Sequence, residues 1–469
     1  MQEAFHGGEH LYLLPIGGTA MASLAGLLHL AGHRVEGVDE HLYPPMSIVL
    51  EDLGIPVRLG FDPAGIPEGI DRVVIGNAVG RDNPEVVEVL RRRIPFLSQA
   101  EAVAHYLLAG GREGLVVAGT HGKTTTSSLL AWIFEASGAD PSYLVGGMLA
   151  WNRRSFRLGG GRVMIIEGDE YNTAFFDRGP KFLHYRPEIF VLGPVELDHA
   201  DIYPSLDAVL TSFRAGTAQV PPRGTVVVNA WSALALEAVR DATAHLVTVG
   251  PTAECSLRVG SIASGPSGVS AELEWAGSAF DLRLPMAGRH NLHNAAMAFA
   301  AAVTAGLDPD DILGALAHFP GVTRRMEVVG EKGGIAVVDD FAHHPTALAA
   351  TVAAARDRWP GRRLVVVYEP RSLTAGRRFF QEAYADALAA ADVVVVAPIF
   401  HSDRLDPGAR LDRGALAAAL TERGVEAHIP PRGADLVEVV RPLLQPGDVV
   451  LGCSSGDLGD FHRRLLAAL

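Results

Sequence analysis

Ala118-Gly119-Thr120-His121-Gly122-Lys123-Thr124-Thr125-Thr126 is the stretch from which the rest of the chain can be read. Before it, Leu115-Val116-Val117 is a short apolar run of buried-strand type. After it, residues 124–136 carry Leu129, Leu130, Trp132 and Ile133 at helical spacing. Strand, glycine turn with a lysine, then helix is the layout of a phosphate-binding loop. Backbone N–H groups and the positive end of the helix dipole face the phosphates. Lys123 adds a point charge toward the β/γ oxygens, and the Thr124 hydroxyl is placed to ligate Mg²⁺. The spacing is shorter than the general G-x-x-x-x-G-K-[ST], because the residue five before Gly122 is Val117, inside the strand. A plain glycine turn accounts for the glycines but not for a lysine followed by three threonines, so ATP is the expected ligand.

Toward the N-terminus, residues 10–16 read as a strand and Gly17-Gly18-Thr19-Ala20 as a turn. An apolar helix over 21–31, a break at Gly32-His33 and a strand over 34–38 ending at Asp39 follow. This is a Rossmann-like β-α-β unit with an acid about 20 residues past the turn. Pro15 and Ala20 stand where the first and third glycines of the fingerprint belong, so the turn either takes a nucleotide or is a tight βα turn without one. Leu42 to Ser47 opens another helix, 72–76 is a strand, and Asn83-Pro84 opens the next helix. Glycines at 110, 111 and 114 mark a boundary. The expected domains are 1–108, 109–321 and 322–469.

Toward the C-terminus, a strand over 162–166 ends in Glu167-Gly168-Asp169-Glu170, and one over 188–192 runs out to Glu196-Leu197-Asp198-His199. Acids and a histidine at the carboxyl ends of apolar strands, beside a phosphate loop, suit Mg²⁺–ATP chemistry. Residues 224–284 read as a β-rich insertion without chemistry. Asn291 and Asn294, three apart before an alanine-rich helix over 295–305, are either caps or readers of an adenine edge. From residue 322 strands and helices alternate, with polar turns at 339–344 and 369–372, which predicts a mostly parallel sheet covered on both faces. Cys453 falls in an apolar strand and is expected in the core.

The 469 residues exceed one ordinary domain. A net charge of −14 argues against non-specific binding to nucleic acid or to anionic membranes. Two distant cysteines cannot make a disulfide framework, and neither has metal-ligand spacing. The N-terminus lacks a secretory pattern and no run reaches about 18 apolar residues, so a cytoplasmic protein without membrane insertion is expected.

Taken together, these motifs resemble the Mur ligase family over nearly the whole chain. They are the turn at 16–19, Gly-Thr-His-Gly-Lys-Thr-Thr-Thr at 119–126, Glu167 to Glu170, Asp198-His199, His290-Asn291 to Asn294, Arg324-Arg325 and Asp339 to Pro345. The resemblance implies three α/β domains: a Rossmann-like N-terminal domain, a central P-loop ATPase-type parallel sheet and a C-terminal Rossmann-like, doubly wound domain. It also implies ligation of a carboxylate to an amine through an acyl phosphate. Tyr43 to Ser47, Gly76-Asn77-Ala78, Ala174 to Asp177, Leu197 to Ile202, Asp339 to Thr346 and Glu369 to Ser372 are similar to members joining UDP-N-acetylmuramate to L-Ala-γ-D-Glu-meso-diaminopimelate. Members that add L-alanine are the alternative. A monomer or weak homodimer acting on small molecules is implied.

Roles follow from the resemblance residue by residue. Gly119, Thr120, His121, Gly122, Lys123, Thr124 and Thr125 hold phosphates. Thr124 and Glu167 hold one Mg²⁺, and His199 a second. Asn291 and Asn294 hold adenine, Asp339 the ribose, Arg324 reaches phosphate, and His343 lies near the transferred phosphoryl group. Gly17, Gly18, Thr19, Asp39 and Ser47 bind the uridine nucleotide. Arg371, Ser372 and Thr374 meet the carboxylates of the incoming peptide, Arg371 as a guanidinium fork unless it is a solvated loop arginine. No lysine lies between His199 and Gln219, so no carbamylated residue is assigned. A dinucleotide oxidoreductase built on the first turn leaves 119–126 unexplained. Folylpolyglutamate synthase lacks a counterpart to residues 1–110.

Overall fold

A computed structural model describes residues 8–198 and 202–469, which form two compact units. The first unit comprises residues 8–197, 202–258 and 296–315; the second holds 198, 259–295 and 316–469.

The first unit begins with a five-stranded, all-parallel sheet: β1 (His10–Leu14), β2 (Arg34–Asp39), β3 (Val57–Leu59), β4 (Arg72–Ile75) and β5 (Phe96–Ser98). Their order is β3-β2-β1-β4-β5, a doubly wound arrangement whose strand order reverses beside β1. The helix Thr19–Leu30 leaves β1, and residues 21 to 28 of it are all buried. Apolar residues on every side mean that such a helix is covered on every side. One flank packs on its own sheet. On another, Phe156 closes on Gly26, where a Cβ would meet the ring at 2.3 Å, and Ser23 Oγ lies 2.6 Å from Ser155 Oγ.

Phe156 opens a strand of the central sheet, and Ser155 immediately precedes it. Its strands are β6 (Glu113–Ala118), β7 (Ser142–Leu144), β8 (Phe156–Arg157), β9 (Val163–Glu167), β12 (Ile189–Leu192), β13 (Thr225–Asn229), β14 (His245–Gly250) and β15 (Leu257–Val259). A separate antiparallel hairpin, β10 (Asn172–Ala174) and β11 (Asp177–Pro180), follows β9. The sheet order β15-β14-β13-β12-β6-β9-β7-β8 is parallel except at β7–β8. Val117 lies opposite Glu167 and Ala118 opposite Leu192, so the chain leaves β6, β9 and β12 at one carboxyl edge. The expected insertion over 224–284 is therefore corrected in part. β13 and β14 are valine-rich strands of the parallel sheet itself, joined by the helix Ala233–Ala238. β13 is buried throughout, whereas β14 runs from exposed at His245 and Leu246 to buried at Val249 and Gly250, so neither carries the alternation that marks a half-buried strand.

In the second unit, β16 (Ala263–Gly265), β17 (Gly268–Trp275) and β18 (Ser278–Leu284) are antiparallel. A six-stranded sheet consists of β19 (Glu327–Lys332), β20 (Ile335–Asp340), β21 (Leu364–Tyr368), β22 (Val393–Val396), β23 (Glu426–His428) and β24 (Val449–Cys453). Its order is β19-β20-β24-β21-β22-β23, with only β19 antiparallel. Ala336 and Val338 enter one core and Ile335 and Val337 the other, the period-2 division of a strand covered on both faces. Cys453 is fully buried, as expected. Three α/β domains thus account for the described chain. Among the described residues, no helix is long and apolar enough to cross a membrane.

Candidate active site

β6 turns into the helix Lys123–Ala136 through the loop 119–122. Gly119 (φ +125) and Gly122 (φ +81) adopt conformations that favour glycine. A Cβ on Gly119 would also meet Gly193, after β12, at 3.0 Å. Thr120 is pinned to the same neighbouring segment. Its N–H donates to the Pro194 carbonyl at 2.8 Å, and its hydroxyl accepts from the Glu196 N–H at 2.9 Å. His121 Nε2 lies 3.4 Å from Glu196 Oε2. The loop is held from outside, leaving its helix end open to an anion.

Lys123 and Thr124 face the acids beyond β9. The Lys123 ammonium donates to the Gly119 carbonyl at 2.8 Å and pairs with the Glu170 carboxylate, 2.8 Å away. Burial works against its charge, but Glu170, then Asp169 and Glu167, hold its pKa above the ordinary lysine value. The Thr124 hydroxyl donates to Glu167 Oε1 at 2.9 Å, while the Gly146 N–H donates to Glu167 Oε2 at 2.6 Å. Burial first and the nearby Asp169 second push the Glu167 carboxyl up, against the pull of Lys123. A hydroxyl and a carboxylate side by side at the amino-terminal end of a helix are hard oxygen donors suited to a divalent cation. Thr125 is buried one residue further along the helix. His199 lies outside the described residues.

In the N-terminal sheet, the Gly17 N–H donates to Asp39 Oδ2 at 2.7 Å, which joins the turn to the acid at the end of β2. Gly18 and Thr19 are exposed at the start of the helix Thr19–Leu30. Ser47, half-buried in the helix Met46–Asp52, takes no part in the Gly17–Asp39 pair.

In the second unit, Arg324 and Asp339 are brought together, with Arg324 Nε 3.2 Å from Asp339 Oδ2. The Arg324 guanidinium also donates to the carbonyls of Ser454, at 2.7 Å, and Gly456. Burial raises the Asp339 carboxyl to about 6 despite Arg324. His343 Nδ1 lies 3.1 Å from the Phe341 carbonyl, and its own carbonyl accepts from the Tyr384 hydroxyl at 2.9 Å. Asn291 and Asn294 are buried within the helix Arg289–Thr304, which starts six residues before the expected position. Asn291 Nδ2 donates back to the Ala287 carbonyl at 2.8 Å, so it does not accept as an N-cap would.

Arg371 is not a solvated arginine. Its guanidinium lies 3.9 Å from the centre of the Phe400 ring and within 3.6 Å of both Glu369 and Asp457. Ser372 Oγ accepts from the Ala375 N–H at 3.0 Å, and Thr374 is buried. Phe400, Asp457 and Ser454, which donates to Glu369 at 2.6 Å, complete this group; sequence reasoning passed over all three. They arrive on loops after β22 and β24, and nothing in their own spacing signals Arg371.

Three comparisons bear on this geometry. Residues 10–109 match the Mur ligase family, catalytic domain; 117–302 match the Mur ligase middle domain; and 324–456 match the Mur ligase, glutamate ligase domain. The chain belongs to the Mur ligase family. Like other Mur ligases it is an ATP-dependent enzyme that forms a C–N bond. It is 36% identical to the UDP-N-acetylmuramate–L-alanyl-γ-D-glutamyl-meso-2,6-diaminoheptandioate ligase of Escherichia coli (strain K12), over 98% of each chain. It is also 36% identical to the UDP-N-acetylmuramate–L-alanine ligase of Kineococcus radiotolerans, over 96% of this chain and 93% of that one. Among solved Mur ligases, the murein peptide ligase of Psychrobacter arcticus 273-4 superposes with a TM-score of 0.75 at 29% identity, covering 98% of both chains.

Proposed function

We propose that this enzyme joins the carboxylate of UDP-N-acetylmuramate to the amine of L-alanyl-γ-D-glutamyl-meso-diaminopimelate, using ATP and Mg²⁺, in cytoplasmic recycling of cell-wall peptides. The observation that carries the reading is the Thr124–Glu167 pair beside Lys123 at the carboxyl edge of the central sheet. A carboxylate acylates poorly. Transfer of the γ-phosphoryl group of ATP to it releases ADP and gives an acyl phosphate; the amine then attacks the carbonyl carbon and phosphate leaves. The protein's share is positioning and charge neutralisation. Lys123 exchanges one anionic partner, Glu170, for another, a phosphate oxygen. Thr124 and Glu167 would hold Mg²⁺, which when bound neutralises triphosphate oxygens.

In this reading Gly17, Gly18, Thr19 and Asp39 hold the uridine nucleotide within a domain ending near residue 108. Asn291, Asn294 and Asp339 serve adenine and ribose, and the domain from 322 onward receives the peptide. Arg371, fixed on Phe400 between two carboxylates, takes a peptide carboxylate. The E. coli relative supports the tripeptide as acceptor, and the K. radiotolerans relative, at the same identity over a shorter stretch of both chains, makes L-alanine the second reading.

Phosphate release from ATP, with Mg²⁺ and UDP-N-acetylmuramate, separates the two. Turnover with the tripeptide and none with L-alanine is expected. Turnover with L-alanine alone would overturn the acceptor assignment, and none with either would overturn the ligase reading.

A further inference from the structure

Three acids stand within four residues at the carboxyl end of β9: Glu167, its last residue, then Asp169 and Glu170. Two lysines answer them. Lys123 pairs with Glu170, and in the function proposed above it goes to phosphate. The other is Lys181, the first residue past β11, which pairs with Asp169 at 2.9 Å. Lys181 is 4% exposed, a depth that lysine reaches only when paired. Its ammonium lies 4.7 Å from the centre of the Tyr171 ring, and its backbone N–H donates to the Asp169 carbonyl at 3.0 Å. Main chain and side chain of one residue thus clasp the same partner twelve positions earlier. The clasp closes the β10–β11 hairpin and ties it to the turn that carries Glu167. Asp169 keeps a partner that the function proposed above leaves in place, whereas Glu170 has one that leaves.

We propose that Lys181 is a positioning residue for the ligase reaction: by clasping Asp169 through backbone and side chain it fixes the 167–170 turn, so that Glu167 meets the Thr124 hydroxyl and the metal bound there. This rests on the reading of Thr124 and Glu167 as the metal pair. Groups that orient metal ligands from behind typically contribute about 10–100-fold to metal affinity or activity.

The test is the double variant Asp169→Asn/Lys181→Met, which removes one positive and one negative charge and so leaves the net charge of the site unchanged. Binding of a non-hydrolysable ATP analogue is followed by calorimetry against Mg²⁺ concentration, alongside turnover. The Mg²⁺ needed for half-saturation should rise about tenfold and kcat should fall about 10–100-fold, with binding of the analogue in chelator within threefold of the parent. A double variant with a lowered unfolding midpoint but an unchanged Mg²⁺ requirement and kcat would overturn the proposal and leave Lys181 a purely structural residue. Asp169→Asn alone keeps the shape and a carbonyl oxygen and serves if the double variant does not fold; an unchanged Mg²⁺ requirement in it overturns the proposal equally. Thr124→Ala distinguishes the two readings. If it leaves Mg²⁺-dependent binding intact, the metal pair is wrong, whatever Lys181 does.

Discussion

Glu85 Oε2 accepts a 2.7 Å hydrogen bond from the Tyr12 hydroxyl at a carboxylate with no solvent exposure, on the first turn of the helix Pro84–Arg92. The other oxygen takes the Arg58 guanidinium and the Asp62 N–H, the latter at 2.8 Å. One buried carboxylate thus joins β1, the segment after β3 and a helix in the N-terminal sheet. Tyr12 cannot readily ionise there: burial, then Glu85, push its pKa well above the ordinary tyrosine value.

Glu85→Leu removes that carboxylate and strands both the Arg58 charge and the Tyr12 hydroxyl. Loss of about 3–5 kcal/mol is expected, as for breaking other buried pairs. Denaturant unfolding measures it, and a change below about 1 kcal/mol would mean that the group is solvated.

Gly26→Ala should also destabilise, against helix propensity. Alanine is ordinarily favoured over glycine inside a helix by about 1 kcal/mol. Here the new Cβ would meet the buried Phe156 ring at 2.3 Å, and overpacking typically costs about 1–3 kcal/mol. A fall in the thermal midpoint, partly recovered by Phe156→Leu, would place the cause at this contact; a rise would refute it.

Lys123→Ala should lower ATP turnover by on the order of 1,000-fold, the scale of losing a preorganised charge at the reacting group. Its partner Glu170 would then lie buried near Asp169 and Glu167 without the ammonium it pairs with. Phosphate release under saturating Mg²⁺ and ATP checks this, and turnover within tenfold of the parent would remove Lys123 from the reaction.

Acid should weaken the second unit. Burial, with Arg324 adding to it, lowers His462 to about 4; burial and Arg325 do the same for His290. In the unfolded chain such histidines take up protons below about 6.5. Stability is therefore complete above pH 6.5 and falls as pH drops from about 6.5 to about 4, because protons favour the unfolded chain. Asp339, raised to about 6, opposes this by favouring the folded state as pH falls toward 4. His293, lowered to about 4 by burial and then His290, adds to the loss, and Asp340, raised by burial, adds to the opposing side; three histidines outweigh two acids. His462→Gln should flatten the pH dependence of the unfolding midpoint by on the order of 1–3 kcal/mol between pH 6.5 and 4; an unchanged slope would show that His462 is not neutral when folded.

The sequence by itself determined the three α/β domains and the strand–glycine loop–helix at 115–136, because these rest on local periods and short spacings, and the family through the resemblance of its short motifs. A strand followed by Gly119 to Thr126 needs no distant partner to be legible. Tertiary structure decided what those spacings cannot hold. Apolar strands at 225–229 and 245–250 look alike in an insertion and in a parallel sheet, and only the pairing of the first with β12 and of the second with the first placed them in the latter. Asn291 read equally as a cap or as a reader of an adenine edge, and the cap was removed only by a helix that begins ahead of it and an amide that donates to Ala287. Phe400 found Arg371, Lys181 found Asp169 and Phe156 found Gly26 through close approaches that only the folded chain creates. Local pattern records which face of an element is apolar, whereas the partner across a loop is selected by packing, and packing leaves no period in the chain.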